Sequence, residues 1–111
     1  MNSTDDLYYT WGNGCEAWKL TDTPALSVIR EKMPAGTSEK LHFHQQAFQL
    51  FYILKGNATF TIDGQMFLVK TGEHLQIQPG KKHKIANNDT DVLEFIVVSQ
   101  PRAHGDRTDL E

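Results

Sequence analysis

Apolar residues recur at alternate positions in short runs broken by Gly, Pro, Asn and Asp, and no window holds a helical period. Such runs predict strands over 17–20, 26–33, 40–44, 48–54, 58–63, 65–70, 74–78, 83–86 and 92–98, an all-β chain. Phe60 and Ile62 alternate with Thr59 and Thr61, so one side of that strand faces a core. Residues 49–54 and 95–98 are largely apolar on both sides. A closed barrel or double-sheet jelly roll would cover one face, and a second sheet or partner subunit the other. Asp63-Gly64 suits a type I′ turn, because both residues tolerate positive φ. Lys55-Gly56-Asn57 is expected to join its flanking strands in the same manner, and Pro79-Gly80 to turn into the strand carrying His83.

A length of 111 residues leaves room for one domain with one real core. The net charge of −3 supplies no basic stripe, which argues against a nucleic-acid partner. Cys15 is the lone cysteine, so no internal disulfide is available. The first six residues are polar and acidic, unlike a signal peptide, and no apolar run is long enough to cross a bilayer as a helix. These features set the expectation of a soluble, cytoplasmic protein with no membrane partner.

His42-Phe43-His44 introduces chemistry. Residues i and i+2 of a strand share a face, so both imidazoles can reach one point while Phe43 turns away. The competing reading is a pair of polar side chains on a solvated strand. Gly36 stands six positions before His42, Gln49 five after His44, and Gly56 seven after Gln49. Gly72, Pro79-Gly80, His83 and Asn87 follow. In these two clusters the sequence resembles the cupin superfamily. That family has one motif of a glycine, two histidines and a glutamate closing at a glycine, and a second with a Pro-Gly turn, a histidine and an asparagine.

The resemblance implies a cupin-type jelly-roll barrel (a double-stranded β-helix) as a single domain over 1–111. Its core would span about 16–99, with an N-terminal arm or edge strand over 1–15 and a C-terminal tail over 100–111. It also implies one divalent metal ion (iron, zinc, nickel or manganese) held by His42, His44, Gln49 and His83. Gln49 replaces the usual glutamate, and a neutral amide oxygen removes one negative charge from the site. The ion would bind less tightly and act as a stronger Lewis acid. The set His, His, Gln, His is also that of the uronate-linearising cupins. The likeness to them is partial, because the expected acidic residue is missing before Pro101.

The expected function is a metal-dependent enzyme of isomerase, ring-opening or dioxygenase type on a small sugar-derived or organic acid. The alternative is a non-catalytic cupin that binds or senses a small ligand. No acidic residue falls at an obvious lumen position to act as a general base. Gln45, Gln46 and Gln76 are candidates for polar contacts around the site, and Lys81, Lys82 and Lys84 for guiding an anion towards it. His74 reads as a pocket-mouth or solvated residue, His104 as part of a surface tail, and Cys15 as a small semi-buried residue and not a nucleophile. Trp11 and Trp18, with the doubly apolar strands, fit a homodimer.

Overall fold

The computed structural model describes residues 7–111. Eleven strands form in chain order among them: β1 (Tyr8–Trp11), β2 (Cys15–Thr23), β3 (Leu26–Met33), β4 (His42–His44), β5 (Phe48–Lys55), β6 (Asn57–Ile62), β7 (Gln65–Lys70), β8 (His74–Ile77), β9 (His83–Ala86), β10 (Leu93–Gln100) and β11 (Arg107–Asp109). No helix is long and apolar enough to cross a membrane. The strands build two antiparallel sheets, ordered β1-β2-β3-β10-β5-β8 and β11-β4-β9-β6-β7. This is the double-sheet jelly roll that the alternation predicts.

The sheets face each other over a core fed by every second residue. On β10, Leu93, Phe95, Val97 and Ser99 are buried while the residues between them are half-exposed. On β5 the inward series is Gln49, Phe51 and Ile53. Phe51 packs on Phe60 and Phe95 with ring centroids 5.0 and 5.6 Å apart, the former edge-on. Met33, Ile53, Ile85 and Leu93 close the dry half of the barrel. Cys15 is fully buried beside them, and burial pushes its thiol up, which suits an inert core residue.

Asp63 (φ 49) and Gly64 (φ 84) form the expected hairpin turn, with Ile62 opposite Gln65. Lys55-Gly56-Asn57 behaves differently. Strands β5 and β6 lie in different sheets, so these residues carry the chain from one layer to the other and form no hairpin. Gly56 (φ +86) passes so close to the backbone at Val92 that an added Cβ would meet its carbonyl oxygen at 2.7 Å. Asn87 ties the opposite corner. Its buried amide donates to the carbonyls of Met33 and Asp91, both at 2.9 Å, and its Oδ1 accepts from Asp89 N. Its backbone also bonds both Gly36 and Thr37. Asn87 and Gly36 are therefore structural members of their motifs.

Strand β1 lies at a sheet edge within the expected N-terminal arm or edge strand, whereas β11 has no counterpart in the sequence reading, where 100–111 is a tail. The outer face of β5 is not covered by the second sheet. Tyr52 and Leu54 are exposed there, and among the described residues the second sheet covers only the inner side.

Gly56→Ala should lower stability by more than the about 1–3 kcal/mol of a strained positive φ, because the methyl also meets backbone. Gly72→Ala, with φ +84 and open space around its Cβ, should show only the conformational part. Denaturant unfolding of the two variants checks the difference.

Candidate metal centre

Strand pairing brings the histidines together. His42 and His44 lie on the inward face of β4, and His42 sits directly opposite His83 on β9. All three are buried, with ring centroids of 5.1 Å (His42–His44), 4.3 Å (His42–His83) and 5.8 Å (His44–His83). One ring nitrogen from each can be chosen so that the three lie within 4.8 Å of one another. Such a cluster could hold a metal ion.

Local hydrogen bonds aim the rings. His42 Nδ1 lies 2.7 Å from the carbonyl of Lys40, and His83 Nδ1 lies 2.8 Å from that of Lys81. A carbonyl only accepts, so each Nδ1 carries the proton and each Nε2 keeps its lone pair. His83 Nε2 and His44 Nδ1 are buried with no hydrogen-bond partner. Burial lowers the pKa of all three rings, His42 to about 3 and His44 to about 4, so they are neutral at physiological pH.

Gln49 lies in the same cavity as His42 and His44. Its Nε2 donates to Ser99 Oγ at 3.0 Å, which leaves Oε1 buried without a partner. His42, His44 and Gln49 thus line the cavity with His83 packed against the histidine pair, and three buried atoms of these four side chains are unsatisfied. Leaving such atoms unsatisfied costs about 1–3 kcal/mol each unless something binds them.

The cavity measures about 870 Å³. The expected absence of lumen acids does not hold, since Glu31, Glu39 and Asp109 all line it. Glu31 could have been found from the alternation, as it shares the inward face of β3 with Ser27, Ile29 and Met33. Burial, with the nearby Glu39 carboxylate, pushes Glu31 up to about 8. The Trp11 indole N–H opposes this shift but stands outside hydrogen-bonding geometry. Burial likewise raises Glu39 to about 7, opposed by Arg107 and the Ile85 N–H, which donates to Oε1 at 3.2 Å. Arg107 Nη1 reaches Glu39 at 3.5 Å, and Arg107 Nε reaches Asp109 at 2.6 Å.

The C-terminal segment supplies part of this wall. Strand β11 pairs with β4, placing Arg107 opposite His44 and Asp109 opposite His42. Asp106 accepts the backbone N–H groups of Gln45, Gln46 and Ala47 at 3.2, 3.0 and 2.9 Å, bracing the loop between His44 and Gln49. His104 is exposed and stands at the cavity wall. Gln45, Gln46 and Gln76 point to solvent, and none of them lines the cavity. Lys81, Lys82 and Lys84 also lie outside it, with Lys81 paired to Asp63 and Lys84 to Glu111. The cations at the cavity are Lys40 and Arg107. His74 is exposed on the outer face of β8, opposite Tyr52.

The family profile of the cupin domain matches residues 29–99. The chain is a cupin. Over 69 residues this cupin is 36% identical to the oxalate-binding protein of Thermotoga maritima, an overlap of 62% of this chain and 57% of that protein. A solved structure described as a predicted oxalate decarboxylase from Thermotoga maritima superposes with a TM-score of 0.75 at 31% identity, over 82% of this chain and 84% of that one. KdgF from Halomonas sp. gives a TM-score of 0.79 at 18% identity, over 87% of each chain. At that identity the likeness to KdgF carries the fold and no activity.

Glu31 and Glu39 hold their protons more tightly in the fold than in the unfolded chain, where both titrate near 4.5. Stability from these groups is complete below that value and is lost as pH rises through 7 and 8. Below about pH 7 the buried histidines oppose this trend, because their lowered pKa values make stability rise with pH there. Melting temperature should therefore fall from about pH 7 to about pH 9, and Glu31→Gln should flatten that decline and raise stability at the alkaline end. Parallel profiles for the two proteins would show that Glu31 keeps an ordinary pKa.

Proposed function

We propose that this cupin holds one divalent ion at His42, His44, His83 and Gln49 and is an enzyme acting there on a small organic or sugar-derived acid. The observation that carries the reading is the convergence of three neutral imidazoles, with ring nitrogens within 4.8 Å, beside a Gln49 Oε1 that has no other partner. The carbonyls of Lys40 and Lys81 orient His42 and His83, and Ser99 orients Gln49. When bound, the ion would supply Lewis acidity towards a carbonyl, carboxylate or hydroxyl oxygen. The chain itself supplies a cavity that admits such a molecule and, in Glu39, a carboxyl able to exchange protons near neutrality. The relatives named for oxalate support an organic-acid ligand. The name of the oxalate-binding relative also favours a second reading, binding without turnover.

Elemental analysis of protein purified without added metal should find about one ion per chain, and iron, zinc, nickel and manganese are separated by the same measurement. His83→Ala should lose the ion, and Lys82→Ala, outside the cavity, should keep it. Wild-type protein that neither retains nor takes up stoichiometric metal would overturn the proposal. Gln49→Glu should tighten binding about tenfold or more by restoring a charged ligand. Unchanged affinity in a chelator competition would remove Gln49 from the ligand set. Turnover of an acid that stops on chelation separates the enzyme from the binding protein.

A further inference from the structure

The cavity has a second polar region besides the histidine cluster. On β3 the inward residues Ser27, Ile29 and Glu31 sit at successive levels of the barrel. Their register through β10 to β5 gives the rows Ser27–Ser99–Gln49, Ile29–Val97–Phe51 and Glu31–Phe95–Ile53. Gln49 therefore belongs to one level and Glu31 to another, about 13 Å further along the strand direction. The row between them is apolar, and Ile29, Val97 and Phe51 all line the cavity.

Around Glu31 the lining is Tyr9, Trp11, Glu39 and Arg107. Among the described residues, Glu31 makes no ion pair and no hydrogen bond within normal geometry, and the Trp11 Nε1 donor is buried without an acceptor. Each candidate ligand group can be weighed against this lining. A second carboxylate would meet Glu31 and Glu39. An ammonium would meet Arg107, which already pairs with Glu39 at 3.5 Å. Neutral hydroxyls meet neither objection. They both donate and accept, which suits a carboxyl that titrates near neutrality, a phenol and an unpartnered indole N–H. The rings of Tyr9 and Trp11 add apolar faces of the kind that cover the carbon skeleton of a polyol.

We propose that Glu31, with Trp11 and Tyr9, forms a subsite for the hydroxylated tail of a polyhydroxy acid whose acid head lies at the histidine cluster. This rests on the metal-site reading above and sharpens its substrate class. A two-carbon acid held at the histidines leaves the subsite empty, whereas a chain of about six carbons extends towards it.

The test compares glycolate with gluconate, which share an α-hydroxy-carboxylate head and differ in the tail. Calorimetry on protein loaded with one equivalent of zinc should show gluconate binding about tenfold or more tighter than glycolate. In Glu31→Ala the two acids should bind alike, with zinc stoichiometry and glycolate affinity as in wild type. Trp11→Phe keeps the ring and loses the donor, and should shrink the gluconate advantage; it decides the matter if Glu31→Ala does not fold. Equal affinities in wild type, or an advantage that survives in both variants, would overturn the subsite while leaving the metal site standing. Zinc uptake without zinc-dependent glycolate binding would instead remove the acid-head reading and this inference with it.

Discussion

The pleat of two facing sheets governs this molecule. Every second residue of each strand must enter the same interior, and that interior has to be either tightly packed or usefully polar. Here it is both, and single strands cross from one region to the other. Strand β5 runs from Gln49 to Phe51 and Ile53, β9 from His83 to Ile85, and β10 from Phe95 and Val97 to Ser99. The polar residues are fixed by the packing of their apolar neighbours two positions away. Polar groups placed this way are positioned by the strands themselves, so the barrel core pre-organises the cluster.

Orientation of the rings follows from equally local chemistry. His42 and His83 each place Nδ1 against the carbonyl two residues earlier, at Lys40 and Lys81. The same short-range device on two strands of different sequence presents two lone pairs inward. Burial then keeps the rings neutral, as the depressed values for His42 and His44 indicate. Gln49 is held on the same principle, its amide nitrogen satisfied by Ser99 and its oxygen left over. Hydrogen bonding thus fills one side of His42, His83 and Gln49 and leaves the other side for a guest.

Much of this was legible in the sequence, for a physical reason. Period-two alternation and Gly, Pro and Asp punctuation mark strands whose inner face is apolar, which is why the strands from 26 to 98 were readable. The His-x-His spacing and the two glycine-punctuated clusters pointed to one centre. Strand β1 was expected only as an arm or edge strand without bounds, because Tyr8–Trp11 is mostly exposed, and β11 escaped because Arg107–Asp109 is polar throughout. Glu31 was missed although its parity was visible, because a charged residue on a core face was not weighed as lining a cavity. The Lys55-Gly56-Asn57 step read as a hairpin because sequence shows a turn but not which sheet each flanking strand joins.

The missed pieces share a location, and that bears on function. The family match over 29–99 contains all four proposed ligands, together with Glu31 and Glu39. Tyr9, Trp11, Arg107 and Asp109 lie outside it and still line the cavity. Asp106, also outside, braces the loop that links His44 to Gln49 through three backbone N–H groups. The shared domain therefore accounts for a lumen that could hold a metal ion, while the terminal strands shape what else can enter it. A relative aligned over the domain alone transmits the first property and not the second. What this cavity admits is better sought from the residues that β1 and β11 bring to it than from the ligands named for its relatives.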